Sequence, residues 1–153
     1  HRGQPAAGQL EELALRVSAA VGDAGLRLQR GPAAADKGLD LVARAATMGD
    51  HLRAALEERL ADHPNVAEVR GLGLLLGVEL VKDRSNGASF DGALTPLVVE
   101  EALARDCWIY PAGSGPVPDA LLFGPGFTIA DSEIDRLADV TLESIDAALA
   151  RIR

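Results

Sequence analysis

The chain has 153 residues, enough for one domain that buries about two thirds of its unfolded surface. Its formal net charge of −8 excludes a partner held through a phosphate backbone, because such binding needs clustered Lys and Arg, so no nucleic-acid role is expected. A single cysteine, Cys107, excludes an intrachain disulfide and a Cys-rich zinc site, and no apolar run approaches the roughly 20 residues that span a bilayer, so a soluble, cytoplasmic chain is expected.

Hydrophobic residues make up 48% and aromatic residues only 3%, so the core must be built from Leu, Val, Ile and Ala. The first residue is His1 in place of Met, which reads as processing, a shortened chain or a tag remnant. Residues 1–8 carry few structure-forming signals. Leu10, Leu13, Val17 and Val21 then recur at helical spacing, and Gly22 and Gly25 end that pattern. From Leu26 to Asp36, Arg, Gly, Pro and Ala dominate, which predicts a loop.

Leu41, Val42, Ala45, Met48, Leu52, Leu56 and Leu60 form one continuous apolar stripe and predict a helix of about six turns. It should stop near Asp62-His63-Pro64, since the residue before a proline avoids the helical region. Val66 to Val69 reads as a short strand, Gly71-Leu72-Gly73 as a turn, and Leu74 to Val81 as a strand buried largely on both faces. Lys82 to Gly87 is a polar turn. Thr95-Pro96 predicts a helix start, with Thr95 as cap and Pro96 in the first position, and a run to about Asp106. Cys107 to Tyr110 and Leu121 to Phe123 read as strands flanking a Gly/Pro-rich loop. The last helix has Asp131 as its cap, with Ile134, Leu137, Ile145, Leu149 and Ile152 on its apolar face. The order implies an α+β fold, a small, mainly antiparallel sheet covered by helices.

Candidate chemistry is sparse. Arg70 sits at a Gly-rich turn, where a guanidinium can reach an anion; pairing with a nearby acid is the commoner outcome. Gly71 and Gly73 suit positive φ better than a phosphate cradle, because no helix follows directly. Trp108, Tyr110, Phe123 and Phe127 fall on neighbouring segments; a shared core cluster is the first expectation and a pocket wall the second. With the loop around Ser114, such a pocket would use Arg70 and Glu79 as polar groups. His51 and His63 have no third ligand at a readable spacing, so no metal is expected, and Cys107 reads as an inert buried thiol.

Leu60-Ala61-Asp62-His63-Pro64-Asn65-Val66, the run Val69-Arg70-Gly71-Leu72-Gly73 into Gly77-Val78-Glu79-Leu80, Trp108-Ile109-Tyr110-Pro111, and Phe127-Thr128-Ile129 before the last helix occur in an order that resembles the C-terminal small domain of class III pyridoxal-phosphate (PLP) dependent aminotransferases. The resemblance covers roughly Leu39 to Ile152 and implies the small-domain fold of fold-type I PLP enzymes. Gly3-Gln4-Pro5 resembles an eroded Gly-His-Pro segment, which makes residues 1–36 a degenerate linker helix and loop and 37–153 the small domain.

In that family the Schiff-base lysine and the phosphate cradle lie on the large domain, so the resemblance implies that this chain alone binds no PLP and cannot transaminate. Lys37 and Lys82 read as surface amines and match no Schiff-base position. Several family members hold a substrate carboxylate with an arginine just before an Ala-Pro-Pro-like segment; here that place is Leu122, with Gly126 replacing the second proline. The expected partners are a companion large domain or a second copy in a homo-oligomer, with a small-molecule ligand as a further candidate. Two other readings follow from an orphaned small domain: a stand-alone interaction or dimerisation module, and a repurposed small non-PLP enzyme.

Overall fold

A computed structural model describes residues 40–152. The predicted helix over Leu10 to Val21, the loop from Leu26 to Asp36, and Lys37 lie outside the described residues. The elements in chain order are α1 (Leu41–Leu60), β1 (Val66–Leu72), β2 (Leu75–Leu80), α2 (Leu94–Leu103), β3 (Tyr110–Pro111), β4 (Ala120–Phe123) and α3 (Asp131–Ile152). The strands form one antiparallel sheet in the order β1-β2-β4-β3. The α+β expectation therefore holds.

α1 begins where the Asp40 carboxylate accepts the Val42 and Ala43 N–H groups, both at 3.1 Å. Its stripe buries Leu52, Leu56 and Leu60 against the sheet. The inner faces of the strands contribute Val66, Leu76, Val78, Leu80, Leu121 and Phe123, and α2 and α3 add Leu94, Val98, Ile134 and Ile145 to the same core. Each such aliphatic side chain stabilises the fold by about 1.5–3 kcal/mol relative to exposure. Among the described residues Phe123 is the one buried aromatic ring of the core, with Phe90 packed against it half-buried.

The hairpin departs from its predicted outline. β1 runs through Leu72, and the turn is Gly73-Leu74, with Gly73 at φ 55°. Gly49 on α1 makes room for it: a Cβ there would stand 2.2 Å from the Gly73 carbonyl carbon, so helix and turn meet backbone to backbone. β2 is not buried on both faces. Leu76, Val78 and Leu80 are buried, whereas Leu75 is exposed and Gly77 and Glu79 are half-buried, because the described helices pack on one side of the sheet.

Three other boundaries differ. Thr95 does not cap α2; the helix already starts at Leu94, and the Thr95 hydroxyl is buried without a hydrogen-bond partner. The cap comes from Asp119, whose Oδ1 accepts the Leu94 and Thr95 N–H groups at 3.0 and 2.9 Å and whose Oδ2 accepts that of Gly92 at 2.8 Å. Pro96 still costs nothing, since first-turn N–H groups have no intrahelical partner. Asp131 is already helical; Ala130 stands at the cap position, with its N–H donating to the Glu133 carboxylate at 2.8 Å. Of the predicted strand Cys107 to Tyr110 only Tyr110 pairs with β4, together with Pro111 from the predicted loop, and Cys107 to Ile109 is irregular chain.

Candidate functional site

The outer face of the sheet, away from the described helices, carries three of the sequence-predicted candidates, Arg70, Glu79 and Tyr110, while Trp108, Ser114 and Phe127 lie on loops. Antiparallel alternation places Arg70, Gly77, Leu122 and Tyr110 in one row across β1, β2, β4 and β3. A register shift between Val66 and Glu68 sets Glu68 directly opposite Glu79. Two like charges in that position repel. Arg70 resolves the conflict: its Nη1 donates to both carboxylates, to Glu79 at 3.0 Å. The hydrogen bond to Glu68, aided by the charges of Glu68 and Glu79, raises the guanidinium pKa further above its ordinary value. Acid pairing, the commoner expectation for Arg70, is what the structure contains, although both partners are strand residues.

Two cavities flank Leu122, one on this face and one at the β3 edge of the sheet, where Leu137 of α3 forms part of the wall. One, of about 240 Å³, is lined by Arg70, Gly77, Glu79, Ser114, Val117 and Leu122. The other, of about 290 Å³, is lined by Trp108, Tyr110, Leu122, Phe123, Pro125 and Leu137, with no ionised side chain. Arg70, Glu79 and Ser114 thus come together on one side, and Trp108 and Tyr110 on the other. Phe127 joins neither cavity. It stands 52% exposed on the loop between β4 and α3.

The expected aromatic core cluster is not formed. Phe123 is buried, but Trp108 is 63% and Tyr110 56% exposed, because Tyr110 points to the uncovered face and the chain before it never joins the sheet. Ser114 sits on a tight turn closed by its N–H to the Val117 carbonyl at 2.8 Å. Gly113 lets that loop pass the 118–119 backbone, since a Cβ there would lie 1.8 Å from the Pro118 oxygen.

The titratable groups expected to be inert are accounted for by packing. His51 bridges to Asp131 at 2.9 Å and Asp135 at 3.3 Å, joining α1 to the start of α3. His63 Nδ1 accepts the Asn65 N–H at 3.1 Å, and its Nε2 lies 3.3 Å from Asp146. Burial pushes the half-buried Cys107 thiol pKa up, with Arg136 pulling weakly the other way. Among the described residues no cluster of three His, Cys, Asp or Glu could hold a metal ion, and no helix is long and apolar enough to cross a membrane.

Two arginines of α1 had no sequence signal. Arg44 Nε and Nη2 donate to the carbonyls of Phe127 and Ile129 at 2.8 and 2.7 Å. Arg53 donates to those of Val69 and Gly71 at 3.3 and 2.7 Å. Both bind main-chain oxygens far along the chain, which no local spacing encodes.

Comparison with known proteins decides the ancestry of this hairpin, loop and terminal helix: the profile of the family described as Aminotransferase class-III matches residues 34–148. The chain belongs to the class III aminotransferases. An uncharacterized aminotransferase of Bacillus subtilis, YodT, is 35% identical over 112 residues, covering 70% of this chain and 25% of that protein. A taurine–pyruvate aminotransferase of Rhodobacter capsulatus is 34% identical over 131 residues, covering 80% and 28%. Among solved structures, a Bacillus anthracis aminotransferase superposes with a TM-score of 0.66 at 28% identity, over 70% of this chain and 24% of its own. A transaminase solved with L-Ala gives 0.66 at 32%, over 74% and 26%. The chain thus spans about a quarter of the length of the relatives it matches, as the family's C-terminal small domain.

The family is PLP-dependent, but the described residues do not fit that cofactor. Their sole lysine, Lys82, is exposed beyond the end of β2 and lines neither cavity. The only cation at those cavities, Arg70, is already engaged by two carboxylates.

Proposed function

We propose that residues 37–153 work as the substrate-side small domain of a class III aminotransferase, with residues 1–36 as the linker, and that amino-group transfer requires a cofactor-bearing large domain in addition. The observation that carries this reading is the outer sheet face: none of the described helices covers the row Arg70, Gly77, Leu122, which borders one cavity directly and reaches the second through Leu122. The reaction class is transfer of an amino group between an amino donor and a keto acid or aldehyde. The chain alone binds no PLP, and its partner is a large domain or a second copy in a homo-oligomer, in the cytoplasm.

Within that reading Trp108, Tyr110 and Leu122 wall an apolar portion of the substrate, while Arg70, Glu79 and Ser114 border its polar side. The lack of an ionised side chain in the lining of the Trp108 cavity supports an uncharged substituent there.

The test is the polypeptide expressed from the natural gene. A longer chain with visible absorbance that borohydride removes, and a lysine labelled outside residues 1–153, is the expected result. Borohydride trapping of PLP on Lys37 or Lys82 of the 153-residue chain would overturn it.

A further inference from the structure

We infer that Arg44 is a positioning residue for the Trp108 cavity, a role that rests on the reading of that cavity as a substrate wall. The loop from Gly124 to Ala130 leaves the sheet at β4 and enters α3, and it is poor in bonds of its own. Among the described residues its internal main-chain bonding before the helix is one contact, the Ile129 N–H to the Gly126 carbonyl at 3.0 Å. Gly124 and Gly126 flank Pro125, and a Cβ at Gly126 would meet nothing within 4 Å, so neighbouring atoms do not confine the chain there.

Arg44 supplies the missing restraint. Its planar guanidinium bonds two carbonyls of the same loop, Phe127 and Ile129, at 2.8 and 2.7 Å, and a fork of this kind fixes orientation as well as distance. α1 is anchored independently, through Leu52 and Leu56 in the core and through Asp40 at its first turn. The loop is therefore referred to the rigid part of the fold. Pro125 lies between the Arg44 contacts and the sheet, and it lines both cavities that Trp108 lines, those of about 290 and 230 Å³. A shift of the loop moves Pro125 against Trp108, so Arg44 sets the width of a cavity it does not enter.

The chain's only tryptophan is Trp108, so its emission reports on the surroundings of that ring alone. Arg44→Ala is expected to keep the far-ultraviolet circular dichroism of the wild type. It should speed amide exchange at Ile129 by about tenfold, the loss of roughly one hydrogen bond's protection, and increase acrylamide quenching of Trp108. Arg44→Lys, whose ammonium reaches one carbonyl but cannot fork, should fall between; if Arg44→Ala does not fold, this variant decides. Wild-type exchange at Ile129 together with wild-type quenching in the folded variant would overturn the inference. Titration of the wild-type chain with cyclohexanol separates the two claims. Unchanged Trp108 emission would count against the substrate wall, while exchange at Ile129 would still judge Arg44.

Discussion

Asp119 caps a helix that begins twenty-five residues before it, its Oδ1 accepting the Leu94 N–H at 3.0 Å from a fully buried position. The contact ties the loop that carries Ser114 to the start of α2, because Asp119 immediately follows Pro118 and precedes β4.

Replacing Asp119 with alanine strands three N–H groups, those of Gly92, Leu94 and Thr95. The expected loss is about 1–2 kcal/mol of stability, with Asp119→Asn costing less because one acceptor oxygen remains. Urea denaturation reads both; equal costs for the two variants would show that capping is not what the carboxylate contributes.

Gly49→Ala places a methyl group 2.2 Å from the Gly73 carbonyl carbon. Neither partner is a flexible side chain, so the helix and hairpin must separate, at about 1–3 kcal/mol. A thermal melt indistinguishable from wild type would contradict the close approach described between α1 and the β1–β2 turn.

Arg53 covers part of the β1 edge of the sheet, which among the described residues has a paired strand on one side only. Exposed edge carbonyls invite pairing with another chain. Arg53→Ala should cost about 1 kcal/mol and favour self-association, which light scattering would detect as a rise in mean mass with concentration. A variant that remains as dispersed as the wild type would assign edge protection to other residues.

Cys107 has a raised pKa, first because burial disfavours the thiolate, with Arg136 a smaller opposing influence. An acid that binds its proton more tightly when folded contributes stability that is present below the ordinary thiol range and is lost as pH rises through the raised value. At neutral pH alkylation by iodoacetamide should be slower than that of free cysteine, and its rise should begin at a more alkaline pH. A rate profile matching free cysteine would sink this account.

What could be read in the residues was whatever a single element encodes by itself. The apolar stripe from Leu41 to Leu60 needs only helical periodicity, and Gly73 needs only the turn between two branched segments, so α1, the hairpin and the terminal helix were legible, as was the family through their order. The cap at α2 was not, because the acceptor at Asp119 comes from a distant loop while Thr95 offers the local signal and is buried unused. Nor was the exposure of Trp108 and Tyr110: burial depends on which sheet face the helices cover, and hydrophobicity alone puts both rings inside. Arg70 could be singled out as a residue that pairs with an acid, but its place between Glu68 and Glu79 follows from a register shift. Local periodicity and turn chemistry thus determined the elements and the ancestry, while tertiary structure decided the cap, the cavities and the Arg44 and Arg53 contacts. The reason is physical: those features are made between segments whose approach is set by packing of the shared core, and no interval along the chain records that distance.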